Sequence, residues 1–201
     1  MPRVLFRADN GASGPELFVS DGSDAGTVLL GDIYAGTSSS NPGSFTLING
    51  RMVFLATDPT GGQEMWVTDG TAGGTLPLAD INPGTSGSNI AILGQVGDTL
   101  YFRAFNATTG FELWATDGTS AGTRMVKDIY GGATGSTPST FFAVPGGAIF
   151  LASDAATGLE WWFTDGTTAG TRQVADANVG ASNFYVAVIG SVTVGGRVLF
   201  L

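Results

Sequence analysis

Apolar residues along this chain come in short runs with no helical spacing, and the runs alternate with Gly-rich polar stretches. Arg51 to Ala56 (RMVFLA) and Thr99 to Ala104 (TLYFRA) are two such runs, and Phe6, Phe54, Phe102 and Phe150 occupy the same place in four of them. Short runs rich in β-branched and aromatic residues predict strands. Their nearly continuous apolar character predicts burial on both faces, as in sheets packed between neighbouring sheets. This is strand a. After a loop, Gly-x-Glu (Gly14, Gly62, Gly110, Gly158) opens strand b, which stops at Asp-Gly, a turn signal because Gly tolerates positive φ and Asp can bond the turn backbone. Strand c runs from Thr75 to about Ile81 and its equivalents, and finishes at Asp32, Asp80, Asp128 and Asp176. A polar loop such as Ala35 to Gly43 follows. Strand d (Phe45 to Ile48, Ala91 to Gln95) then turns into the next strand a through Asn49-Gly50, Gly97-Asp98 or Gly146-Gly147, the chemistry of two-residue hairpins.

The pattern has a period of 48 residues: ELFVSDGSDAGT from Glu16, EMWVTDGTAGGT from Glu64, ELWATDGTSAGT from Glu112 and EWWFTDGTTAGT from Glu160. Self-similarity at this spacing marks a repeat architecture. The expected fold is all-β: one repeat domain, 1–201, divided at about 3–50, 51–98, 99–146 and 147–194, each repeat supplying four antiparallel strands of a β-propeller. The propeller is either four-bladed or an arc completed by strand sharing or oligomerisation, and a β-solenoid-like repeat array is the alternative. Residues 197–201 (RVLFL) are a surplus copy of strand a, matching Arg3 to Arg7 (RVLFR). In a closed four-bladed ring the two compete for one edge; otherwise the surplus strand joins another chain, giving a homo-oligomer, or this chain is an arc of a longer array. Asn183 to Gly196 is longer than the matching stretches, and a closure or interface device is expected there.

With 201 residues, 43% hydrophobic, the chain is long enough for a sizeable core. Its 8 Lys plus Arg against 17 Asp plus Glu, net −9, lack the basic footprint of a nucleic-acid binder. No stretch is apolar over the length of a membrane helix, the apolar runs are shorter than barrel strands, and the N-terminus does not resemble a signal peptide. No membrane insertion is expected. The chain has no cysteine and no histidine, which removes thiolate nucleophiles, thiolate or imidazole metal sites and imidazole-based triads.

The phrase E-L-W-x-x-D-G-T-x-x-G-T, followed by Asp-Ile and a Gly/Ser/Asn/Pro loop as in Asp80 to Asn89, resembles the ELWxxDGT repeat family of large bacterial proteins. That resemblance covers nearly the whole chain. It implies a tandem β-rich, propeller-forming module of long secreted or cell-surface proteins, and it carries no defined activity. Phe18 in place of the Trp, Ser23 in place of the motif Thr and Ala177 in place of the Ile are departures that concern packing of the end repeats.

Twelve of the 17 acids sit at three repeat positions: Glu16, Glu64, Glu112 and Glu160; Asp21, Asp69, Asp117 and Asp165; and the four aspartates closing strand c. Basic residues are too few to pair with them. The favoured reading makes the glutamates and turn aspartates structural acceptors of backbone N–H and Thr hydroxyl bonds. The alternative is a Ca²⁺ site, since calcium takes oxygen ligands, although the spacing matches no EF-hand loop. Trp66, Trp114, Trp161 and Trp162 are read as core between blades rather than sugar-stacking platforms. Ligand-binding residues are sought in the loops after strand c: Thr37, Ser39 and Asn41, then Thr85, Ser88 and Asn89, then Thr134 and Ser136. The acids outside the repeat, Asp9, Asp24, Asp58, Asp98 and Asp154, fall in turn-like contexts with no acid–base–Arg cluster, so the chain is not expected to be an enzyme. The function expected is a binding or adhesion module that engages glycan or protein through rim loops, with a purely structural scaffold as the alternative and a glycosidase-type enzyme behind both.

Overall fold

The computed structural model describes residues 3–175, 191–194 and 197–200. Every regular element among them is a strand. Sheet one contains β1 (Val4–Asp9), β2 (Pro15–Ser20) and β3 (Val28–Gly31). Sheet two contains β4 (Gly43–Ile48), β5 (Arg51–Asp58), β6 (Gly62–Thr68) and β7 (Leu76–Ala79). Sheet three contains β8 (Ala91–Val96), β9 (Thr99–Asn106), β10 (Gly110–Thr116) and β11 (Arg124–Lys127). Sheet four contains β12 (Ser139–Val144), β13 (Gly147–Asp154), β14 (Gly158–Thr164) and β15 (Arg172–Ala175), and β16 (Ser191–Val194) pairs with β17 (Arg197–Phe200).

Each four-stranded sheet is an antiparallel meander in the order d, a, b, c, so it takes strand d from one sequence repeat and a, b and c from the next. The d–a hairpin sets this phase. In sheet two it is closed by Asn49 and Gly50, at φ 49° and 75°, the positive angles that a two-residue hairpin of this hand requires. Every b–c pairing carries a register shift at the same place, after Leu17, Met65, Leu113 and Trp161, one residue before the aromatic of the repeated phrase.

Consecutive sheets pack face to face, which explains strands that are apolar on both sides. Phe54 and Ala56 of β5 join Leu17, Val19 and Leu30 of sheet one, while Val53 and Leu55 of the same strand join Leu100, Phe102 and Ala104 of sheet three. Tyr101, Leu113 and Val126 in turn meet Phe150, Ala152 and Trp162 of sheet four. Trp66, Trp114 and Trp162 each lie in these seams, as their mid-strand position predicts. Strands d of sheets three and four approach closely: a Cβ on Gly94 of β8 would sit 2.6 Å from the Phe141 ring of β12. The fold is β-propeller-like. The solenoid alternative gives way, because the strands pair as antiparallel hairpins within discrete sheets and not as successive rungs.

Strand c is shorter than expected. It ends at Ala79, because the Ile81 N–H turns away from the sheet to donate to Glu64. Strand d begins earlier, at Gly43. The expectations for Asp176, Ala177 and most of Asn183 to Gly196 lie outside the described residues.

Candidate functional site

The a–b turns and the c–d loops share one rim, and the repeated glutamates lie directly beneath it. Glu16, Glu64, Glu112 and Glu160 are at most 2% exposed. Burial of a carboxylate requires donors, and the c–d loop supplies them. Glu112 accepts from the Ile129 and Tyr130 N–H groups at 3.2 and 3.1 Å and from the Ser136 N–H at 2.9 Å, as well as from the Ser136 hydroxyl. Glu16 repeats this set with Ile33, Tyr34 and Ser40. Glu64 accepts from the Ile81 N–H and the Ser88 hydroxyl. The same serines reach the next sheet through their carbonyls, which accept from Thr57, Phe105 and Ser153 N–H at 2.8, 2.7 and 2.9 Å. Glutamate, serine and neighbouring strand a thus form one hydrogen-bonded chain across each seam. The loop that follows Glu160 lies outside the described residues.

Burial pushes the Glu64 carboxyl up from 4.5 to about 7, against the opposing effect of its hydrogen bonds from Ser88 and the loop backbone. Glu112 is raised for the same reason. The turn aspartates move the other way: Asp21, Asp69, Asp117 and Asp165 are lowered, first by the hydroxyl of the following Ser23, Thr71, Thr119 or Thr167.

That lowering comes from a turn in which every residue of the phrase T-D-G-T-x-x-G-T has a place. Asp69 accepts from the N–H and hydroxyl of Thr71 at 2.9 and 2.6 Å, Gly74 N–H donates to Thr71 Oγ1, and the Thr68 and Thr75 hydroxyls are 2.8 Å apart. Gly74 is required sterically, since a Cβ there would stand 2.0 Å from Asp69 Oδ1. These turns occupy the opposite rim.

The structure brings the glutamates and turn aspartates into hydrogen-bond networks, and no group of three or more acidic side chains converges on a metal-sized site among the described residues. Of the loop residues expected to bind ligand, Thr37, Asn41, Thr85, Asn89 and Thr134 are exposed. Ser39 is half-buried, and its hydroxyl donates to the Pro15 carbonyl at 2.6 Å. Ser88 and Ser136 are instead fully enclosed as donors to Glu64 and Glu112 and present nothing to a ligand.

Sequence reasoning missed two features of this rim. Asp58 and Asp154 stand outside the repeated acids, yet with Asn10 and Asn106 they form a fourth repeat position at the end of strand a, and Asn10 accepts from Ala12 and Ser13 N–H. Asp58 accepts from Thr60 and Gly61 N–H, Asn106 from Thr108, and Asp154 from Ala156 and Thr157. Their 48-residue spacing is the available signal, hidden by the Asn in the first and third copies. The second feature is a cleft between the loop of sheet three and the a–b turn of sheet four, lined by Tyr130, Thr134, Thr137, Ser153, Asp154 and Gly158. An aromatic ring, several hydroxyls and a carboxylate share one concave surface.

No protein-family profile matches the chain, and no curated protein does. Solved structures do align with it, among them three enzymes. An acylaminoacyl peptidase of Pyrococcus horikoshii aligns over 88% of this chain and 26% of its own length, at 19% identity and a TM-score of 0.45. A puromycin hydrolase mutant complexed with PGG aligns over 98% of this chain and 31% of its own, at 17% identity and a TM-score of 0.49. An α-L-arabinofuranosidase of Clostridium thermocellum aligns over 98% and 76%, at 15% identity and a TM-score of 0.32. The chain spans under a third of the length of the first two. The expectation that the chain is not an enzyme is corrected by this result: all three neighbours are enzymes, so the exclusion does not stand. At 15–19% identity and TM-scores below 0.5 the likeness assigns no activity to this chain.

Among the described residues no helix is long and apolar enough to cross a membrane.

Proposed function

We propose that the loop-bearing rim is a binding surface for glycans in a secreted or cell-surface protein, built on a four-bladed ring or on an arc completed by strand sharing. The cleft beside Tyr130 carries this reading. A half-buried aromatic face suits the apolar face of a pyranose ring, while Thr134, Thr137, Ser153 and Asp154 offer donors and acceptors for sugar hydroxyls. The Glu112 network beneath holds the Tyr130 backbone in place, so the site is preorganised. The resemblance to ELWxxDGT repeats supports a location outside the cell or on its surface. A glycan array followed by titration of the best hits tests it. Tyr130→Ala is expected to weaken binding at least tenfold with little change in melting temperature, and an array without hits would refute the reading.

The alternative, a purely structural repeat unit, is favoured by the engagement of the repeated carboxylates in internal bonds. It calls for oligomers without any glycan bound.

A further inference from the structure

On the loop-bearing rim the seams between consecutive sheets share one backbone plan, but their side chains alternate. Between sheets three and four, the Ser136 carbonyl accepts from Ser153 N–H, and the Glu112 carboxylate holds the N–H of half-buried Tyr130 at 3.1 Å. Between sheets one and two both bonds recur: the Ser40 carbonyl accepts from Thr57 N–H at 2.8 Å, and Glu16 holds the N–H of Tyr34, also half-buried, at 3.3 Å. The a–b turn across each of these seams opens with a half-buried aspartate, Asp58 or Asp154. Each takes its turn bonds on Oδ1, which leaves Oδ2 as an acceptor.

The seam between sheets two and three differs at both positions. Asn82 stands in the place of the tyrosines and Asn106 in the place of the aspartates. Asn106 Nδ2 donates to the Ile81 carbonyl at 2.5 Å, and Asn82 Oδ1 accepts from Ala107 N–H at 3.1 Å, so the two amides bond across the seam. Asn82 Nδ2 donates to the Gly87 carbonyl at 2.9 Å, and the residue is 6% exposed. An amide can close this gap because it both donates and accepts, whereas an ionised carboxylate only accepts. Strand a changes in step: Arg7 and Arg103 belong to the sheets whose loops carry tyrosine, and Leu55 to the sheet whose loop carries Asn82. Arg7 Nη1 donates to Asn41 Oδ1 of its own loop at 3.0 Å. Three positions thus vary together, with a period of two repeats.

We propose that the Tyr34–Asp58 seam is a second carbohydrate site of the same kind as the cleft beside Tyr130, and that the Asn82–Asn106 seam between them is sealed. The inference rests on the glycan reading of that cleft. Around Tyr34, Ser38 and Asn41 stand where Thr134 and Thr137 line the cleft, and Thr57 stands where Ser153 does. The chain then carries two similar sites, two 48-residue periods apart, and binds a glycan-coated surface through avidity.

The chain has four tyrosines, so ring-labelled tyrosine gives a sparse NMR spectrum in which Tyr34→Phe and Tyr130→Phe assign the two signals. The oligosaccharide bound most strongly on a glycan array, added free in solution, is expected to shift both and to leave the signal of buried Tyr101 in place. Calorimetry is expected to count two equivalents per chain, one in Tyr34→Ala, one in Tyr130→Ala and none in the double variant. Tyr34→Phe keeps the ring and Asn82→Ala alters only the sealed seam, so both are expected to retain two equivalents. On densely printed array spots, loss of either site leaves one-point attachment and costs at least tenfold in apparent affinity. A single equivalent that shifts Tyr130 but not Tyr34 would overturn this inference and leave the Tyr130 site standing. An array without hits would remove both.

Discussion

Ser136 gives both its backbone N–H and its hydroxyl to the Glu112 carboxylate while its carbonyl accepts from Ser153 of the next sheet. One residue therefore satisfies a buried charge and fastens two sheets. Ser136→Ala deletes only the hydroxyl donor and leaves a buried carboxylate one bond short, a loss of about 1.5 to 3 kcal/mol for a hydrogen bond to a charged group. Urea unfolding should show this as a lower midpoint with an unchanged slope. A loss below about 0.5 kcal/mol would mean that the hydroxyl is dispensable.

The sheets were legible because the repeat writes its strand, turn and glycine positions four times, and short-range chemistry such as Asn49-Gly50 decides the turns. The Glu–Ser chain was not, because it links residues 24 apart that are adjacent only after the loop folds back: Glu16 with Ser40, Glu64 with Ser88, Glu112 with Ser136. Exposed polar loops and enclosed polar loops have the same composition, so Ser88 and Ser136 were grouped with exposed neighbours such as Thr85 and Thr134. The sheet boundaries were shifted for a related reason. The sequence repeat can be cut anywhere in its period, whereas strand pairing admits only the phase in which d and a are a hairpin.

Asp69 and Gly74 form a steric and polar pair in the turn of sheet two. A methyl at residue 74 would collide with Asp69 Oδ1, the atom that holds Thr71. Gly74→Ala is expected to cost on the order of 1 to 3 kcal/mol. Adding Asp69→Ala removes the collision, so the double variant should be more stable than the sum of the single losses predicts, by at least about 0.5 kcal/mol. Strict additivity would show that the clash is relieved elsewhere.

Trp114 of sheet three stacks on Phe102 with ring centroids 6.4 Å apart and packs against the cluster that contains Val53, Met65 and Leu78 of sheet two. Trp114→Ala should lose about 3 to 5 kcal/mol through lost burial and a cavity between the sheets. Chemical denaturation measures it. A loss near zero combined with lost ligand binding would return this indole to the role of a binding platform.

The raised Glu64 pKa makes stability depend on pH in an unusual direction. The folded carboxyl holds its proton up to about pH 7, whereas an unfolded one releases it near 4.5. Between those values the folded state binds more protons, so this group's contribution is fully present below pH 4.5 and is lost as pH rises through 7. Glu112 shifts in the same direction. The lowered aspartates of the turns act oppositely: their contribution is present above their unfolded value of 3.8 and is lost at still lower pH. Melting temperature is therefore expected to peak near pH 5 and to fall by several degrees towards pH 8. Glu64→Gln keeps the shape and an acceptor without a titrating proton, so it should flatten the fall while leaving the acid limb unchanged. An unaltered slope between pH 5 and 8 in that variant would assign the dependence to another group.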